Sequence, residues 1–172
     1  MDAVSSVTKK ISCCGEEYRM TGVLPENRQK IIDIARTWIG TPYRHQSSIK
    51  GEGCDCVGMV RGVYREFFGV ENDPENMPPY QPNWYEVDQK DPLLLFGRRH
   101  LEEVPFEEMM PSDILVFRMK RGVSAKHCGI ITSTDTMVHA YSKQKVYEVS
   151  LGDQWLRKVA AVLRFPCPED EV

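Results

Sequence analysis

Apolar positions recur along the chain first at helical spacing and later at strand spacing. In ENRQKIIDIARTWIG, Ile31, Ile34, Ala35 and Trp38 share one stripe, with Pro25 suited to the first turn and Gly40 to the C-terminal cap. This predicts a helix of about four turns. The next stretch, TPYRHQSSIKGEGCD, breaks the period with Pro42, Gly51 and Gly53 and ends in Asp55, a good N-cap residue. A second stripe, Cys56, Val60, Val63, Tyr64 and Phe67, predicts a helix that Gly69 ends and that carries Cys56 in its first turn, on the buried side. Gly58 and Gly62 lie inside it, where each costs about 1 kcal/mol relative to alanine. Close packing of this helix on a sheet is the expected compensation.

Residues 70–90 hold four prolines and no period, and read as a long irregular loop of the kind that carries binding residues. Asp91 and Pro92 have the character of the N-cap and first turn of a third helix reaching about His100. From Ile114 onward the runs are short and β-like: ILVFRM, HCGIIT, MVHAYS, KVYEVS and, after a helical stretch at DQWLRK, VAAVLRF. Helices followed by strands predict an α+β fold in a single domain.

Composition narrows the function classes. The 172 residues are 41% hydrophobic and 27% charged, which suits a packed core rather than a disordered chain. The basic residues are scattered and the net charge is −3, so no nucleic-acid surface is expected. No apolar run approaches the ~20 residues a bilayer requires, and no membrane span is expected. Lys9 and Lys10 are followed by no apolar stretch, so no secretory signal is read there. The six cysteines, at 13, 14, 54, 56, 128 and 167, lack the density of a disulfide scaffold and read as free thiols.

Three features bear on chemistry. Cys56 at a helix N-terminus meets unpaired N–H groups and the positive end of the dipole, which favour thiolate, although a buried structural cysteine is the plainer reading of the position alone. His127 and His139 fall within predicted strands, where one could serve as a base for a nearby thiol and the other as its orienter. Their relation depends on the hairpin between them. A two-residue turn at Thr134 and Asp135 puts them on opposite faces. A three-residue loop, Ser133 to Asp135, pairs Gly129 with His139 and makes the two histidines diagonal neighbours about 7 Å apart at their β-carbons. Tyr43, behind Pro42, could offer its hydroxyl to a carbonyl oxygen or simply pack on the surface. Cys54, Cys56, His127 and Cys128 could be assembled into a zinc site, but Cys-x-Cys is tighter than the usual ligand gap, so neither metal nor cofactor is expected. Cys54 is also a candidate oxidation partner for Cys56.

Taken in order, ARTWIGTPYRHQ, GCDCVGMVRGVYREFFG, PSDILVF, KHCGIIT and MVHAYS resemble the NlpC-type cell-wall peptidases, papain-like cysteine hydrolases. The resemblance covers roughly residues 27–165. It implies a papain-like fold with N-terminal helices packed on a central antiparallel sheet. Residues 25–166 would be the peptidase domain, 1–24 an N-terminal extension and 167–172 a tail. It further implies Cys56 as nucleophile, His127 as base and then acid, and His139 as orienter. Tyr43 and Asp55 would help to bind substrate or stabilise the oxyanion, and His45, beside the nucleophile loop, could touch substrate. The substrate would be a peptidoglycan stem peptide, cut between D-glutamyl and diaminopimelyl residues. YRHQSSIKGEGCDCVGMVRG is most similar to the peptidases encoded beside tail genes of phages and gene transfer agents. This implies phage-like tail proteins as partners, and a protein made in the cytoplasm that acts at the cell wall or in the periplasm. A silent tail component with the same fold, or a related amidase or acyltransferase with an apolar groove, are the alternatives. Two departures from the family pattern stand out: Ser112 where glycine is common before the strand-motif aspartate, and Arg44, His45 and Gln46 where Trp-Gly-Gly usually follows the tyrosine.

Overall fold

The computed structural model describes residues 24–69, 80 and 91–166. The N-terminal extension apart from Leu24, Cys13, Cys14 and Cys167, and the 70–90 loop apart from Tyr80, lie outside the described residues. The first helix, α1 (Glu26–Thr37), starts after Pro25, which occupies the cap itself rather than the first turn. It runs for about three turns, shorter than expected, because Trp38 already caps it. Gly40 lies beyond, at φ +95°, and serves the following turn. Two short strands, β1 (Ser48–Ile49) and β2 (Gly53–Cys54), pair antiparallel within the stretch expected to be all loop. They lead into α2 (Cys56–Phe68), which Gly69 ends at φ +100°. The third helix, α3 (Pro92–His100), is followed by β3 (Glu102–Val104) and a short 3-10 turn, Phe106–Glu108.

The second half forms the sheet. Strands β4 (Ile114–Phe117), β5 (His127–Ile131), β6 (Thr136–Ala140), β7 (Val146–Ser150) and β8 (Val159–Arg164), with the short helix α4 (Asp153–Leu156) before β8, follow the order expected. Together with β3 they make six strands in the order β3-β8-β4-β5-β6-β7, all antiparallel. The fold is α+β and papain-like, with α1 and α2 packed on one face of the sheet.

The alternation of side chains divides the core. Ile114, Val116, Cys128, Ile130, Val138 and Ala140 pack toward α1 and α2, against Ile31, Trp38, Met59 and Val63. Leu115, Phe117, Ile131 and Met137 face the other way, with Leu151 and the α4 residue Trp155. By the same alternation His127 and His139 stand on this second face.

The two helix glycines need space for a different neighbour than expected. A β-carbon on Gly58 would lie 1.9 Å from the Ser47 carbonyl oxygen, and one on Gly62 would lie 2.0 Å from the Trp38 ring. The bare face of α2 thus meets α1 and the β1 approach, not the sheet. Asp91 is likewise at the N-cap position of α3 but does not cap with its side chain. Its carboxylate accepts from Ala125 N–H at 2.9 Å and pairs with Arg118, tying α3 to the chain before β5.

Ser112 and Asp113 join α1 to the sheet. Asp113 is fully buried and accepts from Arg28 at 3.2 Å, from Arg164 at 2.9 Å and from Met110 N–H at 2.9 Å. Ser112, at φ +81°, occupies backbone space that favours glycine, and its hydroxyl accepts from Arg28 at 3.0 Å.

Candidate active site

Asp55 is extended at φ −99°, and its Oδ1 accepts from Gly58 N–H at 2.8 Å, the N-cap interaction expected of it. Cys56 is therefore the first residue of α2, next to the unpaired N–H groups of the helix start. Its Sγ lies 3.9 Å from the carbonyl oxygen of Lys126, immediately before β5. Here the end of the helix meets the start of the strand. A hydrogen bond from the Cys128 thiol holds the Cys56 thiol well below its ordinary value, and the His127 ring and the Cys128 backbone N–H act in the same direction against burial. The same thiol–thiol contact and burial push Cys128 well above its ordinary value, making it the neutral donor of the pair.

The hairpin takes its odd form. Ile130 pairs with Val138 and Ile131 with Met137, and Thr132 N–H donates to the Thr136 carbonyl at 3.0 Å. That leaves Ser133, Thr134 and Asp135 as a three-residue loop. Gly129 falls opposite His139, and the two histidine rings meet: Nε2 of His127 is 2.8 Å from Nδ1 of His139. With Nε2 so engaged, Nδ1 is the His127 nitrogen left for Cys56.

Aromatic rings surround the pair. Phe117 stacks on His127 at 5.8 Å, and Trp155 lies 5.7 Å from His127 and 5.1 Å from His139. Tyr141 and Tyr147 lie 5.6 and 4.9 Å from His139. Burial, and then the charge of His127, push the His139 imidazole down to about 3. It is neutral at ordinary pH, with its Nε2 buried and without a hydrogen-bond partner among the described residues.

The remaining candidates gather at Asp55. Its Oδ2 accepts from Gln46 N–H at 2.7 Å and from the Tyr80 hydroxyl, with His45 Nδ1 at 3.6 Å. Burial, then the charge of Cys56, raise the Asp55 carboxyl, while the bonds from Tyr80, Gly58 and Gln46 oppose that rise. His45 Nε2 lies 2.9 Å from the Tyr80 carbonyl oxygen, to which the Gln46 side chain also donates. His45 and Gln46, where the pattern departs from Trp-Gly-Gly, thus hold Tyr80. Tyr43 is held by its N–H to the Gln144 carbonyl at 2.9 Å and by a bridge to Cys54. Burial, with Asp55 and Cys56 adding to it, pushes its hydroxyl up to about 12, so it stays a proton donor.

Cys54 is fully buried, and burial, with Asp55 and Cys56 adding to it, pushes its thiol up to about 12. The thiol in contact with Cys56 is that of Cys128 instead. Among the described residues no three or more His, Cys, Asp or Glu side chains converge in a way that could hold a metal ion. No described helix is long and apolar enough to cross a membrane. A partly open apolar pocket lies between α2, α3 and the sheet, bounded by Val57, Tyr64, Leu93, Phe96 and Leu163.

Trp155 and Tyr80 were not singled out as site residues by the sequence, and Cys128 was weighed there only as a metal ligand. Alternation in β5 does point Cys128 toward the helices, and that signal was available. For Tyr80 the signal was the reading of 70–90 as a loop that carries binding residues, which names no residue, and for Trp155 the short helical stretch offers none.

A model of the NlpC/P60 family matches residues 40–164. The murein DD-endopeptidase MepS/murein LD-carboxypeptidase of Escherichia coli K12 is 26% identical over 156 residues, covering 91% of this chain and 72% of that protein. The gamma-DL-glutamyl hydrolase of Bacillus subtilis is 24% identical over 136 residues, covering 78% of this chain and 29% of that protein. A solved NlpC/P60 family protein from Bacillus cereus superposes with a TM-score of 0.57 at 18% identity, over 80% of this chain and 40% of that one. This chain therefore spans less than half the length of both the Bacillus subtilis hydrolase and the Bacillus cereus structure.

Proposed function

The chain belongs to the NlpC/P60 family, and on that premise we propose that it is a cysteine hydrolase cutting an amide bond in peptidoglycan stem peptides. The observation that carries this reading is the placing of His127 between Cys56 and His139, with Nε2 at 2.8 Å from Nδ1 of His139. The Cys56 thiolate attacks the amide carbonyl carbon, and the carbonyl electron pair moves to oxygen. The Cys56 N–H at the helix start and the Tyr43 hydroxyl receive that oxyanion. When the tetrahedral intermediate collapses, the C–N bond breaks and the leaving amine takes the proton of the His127 imidazolium. His127 then removes a proton from water, which cleaves the thioester and restores the thiolate–imidazolium pair. Throughout, His139 Nδ1 accepts from His127 Nε2–H and fixes the ring.

The stem-peptide substrate is supported by what the relatives are named for. One is a murein endopeptidase and carboxypeptidase, the other a gamma-glutamyl hydrolase. The bond proposed is that between D-glutamyl and diaminopimelyl residues, which the second of these names supports. Residues 25–166 are proposed as the hydrolase domain, acting at the cell wall. The resemblance of the stretch from Tyr43 to Gly62 to tail-associated peptidases supports a setting in a phage-like tail, with tail proteins as partners.

The test is mass spectrometry of purified muropeptides incubated with the reduced protein and with Cys56→Ala. Fragments made only by the former are expected, and their masses name the bond. For the tail setting, particles carrying Cys56→Ala are expected to assemble normally and fail to penetrate the wall; normal penetration counts against it.

A further inference from the structure

The aromatic box around the histidine pair is closed by a residue far along the chain. Trp155 sits on α4, ahead of β8, and packs on the face of the sheet opposite α1 and α2. Its ring stands perpendicular to that of His139 at 5.1 Å and tilts over His127 at 5.7 Å, and it also meets Phe117 at 5.0 Å. His139 is completely buried, yet its Nε2 has no hydrogen-bond partner among the described residues. A buried imidazole nitrogen without a partner costs stability, so the arrangement calls for a reason.

Proton bookkeeping supplies one. While His127 is an imidazolium it has only donors. The 2.8 Å contact then requires Nδ1 of His139 to be an acceptor, which places the His139 proton on Nε2. Among the described residues nothing accepts from that N–H, and the rings of His127, Tyr141, Tyr147 and Trp155 surround the imidazole. Were water admitted there, His139 could take a second proton on Nδ1, lose its acceptor and repel His127.

We propose that Trp155 is a positioning residue of the hydrolytic site: its ring shuts water from Nε2 of His139 and so holds that histidine as the neutral tautomer whose Nδ1 accepts from His127. The inference rests on the hydrolase reading above. The groups facing His139 are His127 from β5, Tyr141 at the end of β6, Tyr147 from β7 and Trp155 from α4. Lys158 Nζ lies 5.7 Å from the Trp155 ring.

The experiment pairs histidine ¹⁵N NMR with muropeptide hydrolysis on the full chain, for the wild type, Trp155→Phe and Trp155→Ala. In the wild type, His139 is expected to keep its proton on Nε2 and not to titrate between about pH 5 and 8. In Trp155→Ala it is expected to titrate within that range. The turnover of that variant should fall at least about tenfold near pH 5.5 and recover to within about threefold of wild type near pH 8, with KM unchanged. Trp155→Phe, which keeps a ring, should stay near wild type. A wild-type His139 that carries its proton on Nδ1, or a Trp155→Ala profile lowered equally at every pH, overturns the proposal. Should Trp155→Ala fail to fold, the wild-type and Trp155→Phe spectra decide alone. The two readings fail separably. Expected spectra with no muropeptide cut by the wild type remove the hydrolytic function, whereas cleavage with the wrong tautomer keeps that function and removes both the acceptor role of His139 Nδ1 and the role of Trp155.

Discussion

Gly129 lies against His139 across the β5–β6 ladder, and a β-carbon placed on it would stand 3.1 Å from the β-carbon of His139 and 3.1 Å from Met137 Sδ. The glycine of the His-x-Gly pattern is thus the space into which the second histidine fits. Gly129→Ala is expected to push His139 by a few tenths of an ångström and lengthen its contact with His127. Activity should drop by about tenfold or more while the melting temperature falls only a few degrees, since overpacking of this size costs about 1–3 kcal/mol. Equal proportional losses in activity and in folded fraction would argue that the glycine matters for folding alone.

The thiol of Cys128 donates to Cys56, and this is the largest influence lowering the Cys56 thiol. Cys128→Ala removes that donor while leaving His127 in place. The pH midpoint for alkylation of Cys56 by iodoacetamide should move upward, so the variant reacts more slowly near pH 6 and at the wild-type rate near pH 9. An unchanged midpoint would show that His127 and the helix start suffice.

Stability should also depend on pH through His139. Its folded value, about 3, lies below the ordinary 6.5, because burial and the charge of His127 disfavour the imidazolium. Above pH 6.5 both folded and unfolded forms are neutral there, and the native state carries no penalty. As pH falls from 6.5 toward 3 the unfolded chain takes up a proton that the folded one refuses, and stability is lost, on the order of a few kcal/mol in total. Urea melts of wild type and His139→Gln at pH 7 and pH 4.5 should differ in their acid loss, with the variant losing less. Parallel losses would place the acid sensitivity elsewhere.

Ser112 combines a strained backbone with a useful hydroxyl. Replacement by alanine keeps the φ of +81° and removes the acceptor for Arg28, so it should destabilise by about 1–2 kcal/mol. Replacement by glycine loses the same hydrogen bond but relieves the backbone, and should come out near zero. Chemical denaturation of the two variants ranks them. Alanine at or above glycine would mean that the strain is not felt.

How much of this was legible in the sequence differs from element to element. The stripes of α1 and α2 and the five longer strands were readable, because an apolar period over a dozen residues, or an apolar run of four to six, reports directly which face is buried. β1, β2 and β3 are two or three residues long and leave no room for a period. Gly58 and Gly62 announced a bare helix face, but spacing cannot say what covers it, and the neighbours proved to be Ser47 and Trp38. For the histidines, strand parity narrowed the hairpin to two forms. The choice between them rests on the Thr132–Thr136 closure, where Thr132, Thr136 and Ser133 hydroxyls bond one another and Glu148. The partners of Cys56 required the crossing of α2 over β5, which no local pattern encodes.

Asp55 spends both its oxygens inside its own chain, one on the start of α2 and the other on Gln46 and Tyr80. A single carboxylate thereby serves as a rivet through three layers: the loop bearing Tyr43, the helix bearing Cys56, and a residue reached only after the proline-rich stretch that follows Gly69. The number of residues between Gly69 and Tyr80 is then a free design variable only so far as a phenol still arrives at that rivet. Grafting a different insertion there changes what holds the Asp55 carboxylate, and with it the start of the helix that bears Cys56.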